Sequence, residues 1–255
     1  MWLGIISLFP EIFDALSYGI TGRAISSGLV TIAHFNPRDF TQDKHRRVDD
    51  RPYGGGAGMV MKVEPLEKAI AAAKNLHPTA SVIYMNPQGQ TLTQEIVQKL
   101  AQRSALLFLN GRYEGIDERI ATYVDEEYSI GDYVISGGEL ASMVTLDAII
   151  RCLPGALGDE NSAKQDSFTE HRLDYPHYTR PECINGITVP KVLQSGDHKA
   201  IERWRLKQAL GRTWQRRPDL FVKHPLTIEE QTLLNEFILE NVPTAGDLLQ
   251  TKRKD

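Results

Sequence analysis

Ser129–Glu139 reads SIGDYVISGGE. Two apolar, β-branched steps, Ile130 and Val134–Ile135, are interrupted by Gly131–Asp132 and stopped by Ser136–Gly137–Gly138. A helix is expected from Glu139. Glycine tolerates positive φ and lets a ligand approach bare backbone. A strand end, a paired glycine and a helix N-terminus leave main-chain N–H and C=O groups free at one edge. Such an edge can hold a polar small molecule through the main chain.

Two upstream stretches have the same grammar. Leu106–Gly115, LLFLNGRYEG, is an apolar run ending in Asn110–Gly111, and Val82–Gly89, VIYMNPQG, ends in Asn86–Pro87. Ligands of α/β sheets sit at the carboxyl ends of the strands. The three corners are therefore expected to form one site.

Around them, strand-like and helical periods alternate: helix 63–75, strand 81–85, helix 93–103, strand 105–109, short helix 117–123, strand 127–130 continued at 133–135, helix 139–152. That alternation is the signature of a parallel sheet with helical crossovers. Strands at 3–8 and 29–35 and helices starting near 11 and 21 complete the expected set. Asn36–Arg51 breaks the pattern with many charges and leads into PYGGGAG, 52–58. No Lys-Ser/Thr follows those glycines and no G-x-G-x-x-G opens a helix, so neither a P-loop nor a dinucleotide fingerprint is present. Residues 159–169, DENSAKQDSFT, are polar and aperiodic, as an interdomain linker is. Helices are expected at 197–210 and at 227–240, the latter opened by a Thr227/Glu230 capping box. The organisation expected is an α/β domain over 1–158, a linker over 159–171 and a smaller, mainly helical domain over 172–255, with the last dozen residues frayed.

Composition narrows the class. At 41% hydrophobic and 24% charged residues over 255, the chain is globular. Its first apolar run has no basic flank and stops at Pro10–Glu11, a buried strand rather than a leader, and no run reaches bilayer length. Two isolated cysteines and scattered histidines indicate neither a disulfide framework nor a metal centre. A cytoplasmic protein without membrane partners is the expectation. The net charge of −4 conceals an asymmetry: 196–223 carries eight basic and three acidic residues, +5 in all, interleaved with Trp204 and Trp214. A basic face with aromatics suits a nucleic acid.

Six motifs carry a resemblance: VDDRPYGGGAGM (48–59), NPQG (86–89), GRYEGIDER (111–119), IGDYVISGGEL (130–140), PHYTRPE (176–182) and WRLKQALGRTWQRRP (204–218). In this order they resemble the bacterial tRNA (guanine-37-N1)-methyltransferases, from the first strand to about Pro218. The resemblance implies a SPOUT-type α/β fold whose parallel sheet is threaded into a deep trefoil knot, followed by a small mainly helical domain. It implies a homodimer with the site at the subunit interface, S-adenosylmethionine as methyl donor and tRNA, not DNA, as acceptor. The target implied is N1 of the guanosine just 3′ of the anticodon, a modification that maintains reading frame.

By the same resemblance, Tyr84, Met85, Asn86 and Pro87 form the first donor-binding loop, and Gly111, Tyr113 and Glu114 the second. Ile130, Gly131, Asp132, Tyr133, Val134, Ile135, Gly137 and Gly138 form the third, with the main chain of Ile130, Tyr133 and Ile135 reading the adenine edge. The chain departs from the family at Met85–Asn86, where Leu-Ser is common, a change that spares a main-chain contact but transfers no side-chain role. Asp166 matches the family's general base and Arg151 its oxyanion partner. Glu114 positions the donor or a magnesium ion, to which the family is linked, although no spacing demands a metal. Arg46, Asp50, Arg203, Lys207, Arg212, Arg216 and Arg217 are the expected tRNA contacts. From the residues alone, a non-catalytic RNA-binding protein and a SPOUT methyltransferase with another RNA target remain open alternatives.

Overall fold

A computed structural model describes residues 1–158 and 166–241. The chain divides into two compact units, Met1–Ala163 and Lys164–Asp255. The expected linker falls partly, and the expected frayed terminus wholly, outside the described residues.

The first unit is built on five parallel strands: β1 (Trp2–Ile6), β2 (Thr31–Phe35), then β5 (Ser81–Thr91), β6 (Ala105–Asn110) and β7 (Glu126–Ser129), in the order β2-β1-β6-β5-β7. A short antiparallel pair, β3 (Asp49–Asp50) with β4 (Val60–Met61), closes the glycine-rich loop between them. Helices α1 (Gly19–Ser26), α2 (Val63–Leu76), α3 (Gln94–Ala101) and α4 (Gly138–Arg151) complete the unit.

Residue parity sorts the core into two layers. Leu3, Ile5, Ile83, Met85, Leu106 and Phe108 pack on one face with residues of α1, α3 and α4; Trp2, Ile6, Val82, Tyr84, Leu107 and Leu109 pack on the other with α2. A parallel sheet covered on both faces needs apolar residues at every position, which is why the strands read as unbroken apolar runs. Burial of each large aliphatic or aromatic side chain contributes about 1.5–3 kcal/mol. That sum outweighs exposed ion pairs such as Lys68–Glu64 and Arg119–Asp117.

The structure corrects three expectations. First, β5 does not stop at Met85. Met85 and Gln90 both pair with Tyr128, so Asn86–Gly89 bulges out and pairing resumes beyond it. Second, 133–135 is no strand: Gly131 takes φ +149° and the chain turns away from the sheet edge. Third, the helices expected near 11 and at 117–123 form, but as 3-10 helices (Pro10–Ser17 and Glu118–Tyr123) rather than α-helices.

The second unit contains a two-residue hairpin, β8 (Cys183–Ile184) with β9 (Ile187–Thr188), inside the stretch expected to be irregular. Helices α5 (His198–Arg216), α6 (Asp219–Lys223) and α7 (Ile228–Asn241) follow. Asp197 caps α5 at the amides of Lys199 and Ala200, and α5 runs a turn and a half past its expected end. The Thr227/Glu230 box is formed in both directions: Thr227 N–H donates to Glu230 Oε2 at 2.9 Å and Glu230 N–H to Thr227 Oγ1 at 3.2 Å. Leu210, Leu233, Leu234 and Phe237 are buried between α5 and α7.

Gly211 sets that helix crossing, because a Cβ there would overlap the Phe237 ring. Helix propensity alone favours Gly211→Ala by about 1 kcal/mol. Overpacking costs about 1–3 kcal/mol and wins when the neighbour is a buried aromatic. Gly211→Ala is therefore predicted to lower the denaturation midpoint of this unit; a raised midpoint would show that the helices separate freely.

Candidate functional site

The carboxyl ends of β5, β6 and β7 open into one cavity of about 250 Å³. Tyr84–Pro87 line it from the first corner, Gly111, Tyr113 and Glu114 from the second, and Ile130, Gly131, Tyr133, Val134, Ile135, Gly137 and Gly138 from the third. Of the residues expected at the three corners, Asp132 does not line it. The three corners are thus one place in the fold.

Local chemistry explains why they meet. After β7 the chain crosses from the sheet edge to the end of β6, where Gly138 N–H donates to Gly111 O at 2.9 Å and Gly137 bridges Arg112. Asn110, wholly buried, donates Nδ2–H to Ile6 O at 2.8 Å and accepts from Ser142 Oγ at 2.6 Å, tying β1, β6 and α4 together. The glycine-rich loop joins the second corner: Glu114 N–H donates to Met59 O at 3.0 Å and Met61 N–H to Gly115 O at 2.9 Å.

The third corner carries no strand or helix ladder across 130–136. Tyr133 N–H donates to Gly131 O at 2.9 Å and Gly131 N–H to Ser129 Oγ at 3.2 Å, while Ser136 O accepts from Arg112 Nη1 at 3.1 Å. Main chain is therefore presented to the cavity beside the apolar Ile130 and Ile135. Burial, with Glu127 nearby, pushes the Tyr84 phenol up to about 12, so this hydroxyl stays neutral at physiological pH. Among the described residues lining the cavity, Arg112 and Glu114 are the charged ones. No imidazole or second carboxylate stands there to move a proton.

Arg112 and Ser136 line the site without having been singled out in the sequence. The signal available was slight: an arginine directly after the Asn-Gly that ends an apolar run. Arg112 Nε lies 2.8 Å from Oε2 of Glu139, a carboxylate with no solvent exposure.

The remaining candidates are not among the residues that line this cavity. Arg151 ends α4, in the last turn where a cation is favoured by the helix dipole. Asp166 belongs to the second unit and is partly buried. Arg46, in a left-handed conformation, pairs with Asp39 and donates Nε–H to Arg38 O at 3.1 Å. Asp50 is exposed in β3 and accepts from Arg51 N–H at 2.8 Å.

On α5 the expected cationic face is partly neutralised. Arg203 pairs with Glu236 and Lys207 with Glu240 of α7, each at 2.6 Å, and Arg217 with Asp219 at 2.8 Å. Arg216 is exposed and Arg212 partly so. The Arg203 and Arg217 pairs face solvent and are worth roughly 0.2–1 kcal/mol, little enough to be exchanged for phosphate, whereas the Lys207 side chain is largely covered. Among the described residues no helix is long and apolar enough to cross a membrane.

A protein of Aeromonas hydrophila named tRNA (guanine-N(1)-)-methyltransferase is 60% identical over 243 residues, covering 94% of this chain and 98% of its own. Proteins of the same name from a Marinomonas species and from Pseudomonas aeruginosa are 60% and 58% identical over 242 residues, covering 94% and 93% of this chain and 97% and 96% of their own. Residues 1–223, which hold all three corners, the basic helix α5 and both expected catalytic side chains, match the sequence model of one family, and the chain belongs to it: the tRNA (Guanine-1)-methyltransferase TrmD family.

Proposed function

We propose that the chain transfers a methyl group from S-adenosylmethionine to N1 of guanosine 37 in tRNA, as a homodimer. Membership of a tRNA guanine-N1 methyltransferase family supports the reaction type. The observation that carries the choice of donor is the main-chain cradle at the third corner. An adenine presents donor and acceptor edges that a buried site must pair, and main-chain groups of Ile130, Tyr133 and Ile135 are of that kind, apart from the Tyr133 N–H, which Gly131 O already accepts. The cradle's tight dimensions fit as well: a Cβ at Gly111 would stand 2.8 Å from the Tyr84 hydroxyl, so that wall is bare backbone.

Bound there, the donor would supply an electrophilic sulfonium methyl. The chain's own residues do the rest. Guanine N1 carries a proton and is a poor nucleophile until that proton leaves. In this proposal the Asp166 carboxylate accepts it, and the Arg151 guanidinium stabilises the negative charge growing on O6. Glu114, at the cavity rim, positions the donor or a magnesium ion. We propose that the passage of the chain from β7 to the end of β6 is threaded as a deep trefoil knot.

A second copy is supported by what one chain leaves open. Tyr113, Tyr133 and Val134 at the cavity are 47%, 56% and 88% exposed, and Leu140 and Val144 of α4 are half exposed. A partner seated on these residues would close the cavity and supply the proton-accepting side that the cavity itself lacks. The cations of α5 and of the 46–51 loop would hold the anticodon stem by its phosphates.

Asp166→Ala is predicted to abolish methyl transfer while calorimetry still finds donor binding; turnover near the wild-type rate would remove Asp166 from the mechanism. Affinity for tRNA should fall roughly five-hundredfold between 50 and 200 mM salt if Arg203, Lys207, Arg212, Arg216 and Arg217 all meet phosphates of the stem. A flat salt profile would place the RNA elsewhere.

A further inference from the structure

Glu139 is the first-turn acid of α4, wholly buried, and no part of the cavity wall. Its two oxygens reach different elements. Oε1 accepts from Ser7 Oγ, just past β1, at 2.8 Å; Oε2 stands 2.8 Å from Arg112 Nε, just past β6, with the N–H out of hydrogen-bond line. Ser7 Oγ in turn accepts from Phe9 N–H at 3.0 Å, and the Arg112 guanidinium lies 4.7 Å over the Phe9 ring.

The other arm of Arg112 points into the site. Its Nη1 donates to Ser136 O at 3.1 Å, and a side chain at Gly137 would overlap it. Arg112 is therefore clamped between a buried carboxylate and the very loop that presents main chain to the cavity. A guanidinium is suited to this, since its planar fork serves two acceptors at once. A buried carboxylate with one aligned donor depends on the adjacent cation, and removing that cation leaves an uncompensated charge.

Building on the adenosylmethionine reading, we propose that Glu139 and Ser7 are positioning residues for the methyl donor. They act through Arg112 to fix the Ser136–Gly138 main chain in its binding geometry. Neither touches the donor. The contact is worth having because main-chain recognition tolerates little error: donors displaced by an ångström no longer reach their acceptors.

The test is Glu139→Gln, which keeps the size and the Ser7 contact but removes the charge that holds Arg112. It is compared with Arg112→Met and the double variant, all in the full-length protein. Calorimetry with S-adenosylmethionine, steady-state KM for donor and for tRNA, and thermal midpoints are measured. Glu139→Gln is expected to raise Kd and KM for the donor about tenfold, with KM for tRNA unchanged and kcat at saturating donor within about threefold. The double variant is expected to be no worse than Arg112→Met alone, because both act through one contact.

Wild-type donor affinity retained in Glu139→Gln would overturn the proposal, as would effects that multiply in the double variant. Should Glu139→Gln not fold, Arg112→Lys decides: it keeps a cation beside Glu139 but loses the fork to Ser136. Weakened donor binding in a protein of normal thermal midpoint supports the clamp, and unchanged binding overturns it. Failure of the wild-type chain to bind S-adenosylmethionine at all would instead refute the proposed donor, a separate outcome.

Discussion

Glu139 and Arg112 face each other at 2.8 Å where water does not reach the carboxylate, and this pair joins the first turn of α4 to the end of β6. Around it the parallel sheet can be apolar on both faces, because the polar work is confined to the strand ends. Asn110 does the neutral part of that work, bonding to Ile6 O and accepting from Ser142. Parallel pairing of β6, β5 and β7 brings their carboxyl ends together, and these polar contacts hold the start of α4 against them. Buried ion pairs are weak sources of net stability. Here the pair serves register: it holds a ladder-free loop against a strand end.

Much of the alternation was legible because each period arises locally. Val82–Met85 and Leu106–Leu109 are apolar at successive positions, as only a strand covered on both faces requires, and Thr93 and Thr227 sit where caps belong. The errors fell where the backbone departs from a period. Asn86–Gly89 has the composition of a loop and does leave the ladder, but Gln90–Thr91 re-enter it, a return visible only from the partner strand. Residues 133–135 have strand propensity, and the glycine geometry at 131 overrides it.

The candidate site was legible in a different way. Its corners could be recognised as glycine-bearing strand ends, and they do share one cavity. What could not be read was pairing across distance. Ser7 meets Glu139 over 132 positions, and Arg112 meets it over a length in which nothing in composition changes. Likewise the +5 of the α5 region suggested a free cationic face, whereas Glu236 and Glu240 stand opposite two of its cations once α7 folds back. Charge counted along a chain overstates the charge offered to a ligand.

The central claim is that main chain from three separate corners forms one donor cradle. Amide hydrogen exchange of the wild-type protein with and without S-adenosylhomocysteine tests it most directly. Slowed exchange is expected together in 84–89, 111–115 and 130–138, with α5 unaffected. Protection confined to one corner, or absent from 130–138, would contradict it.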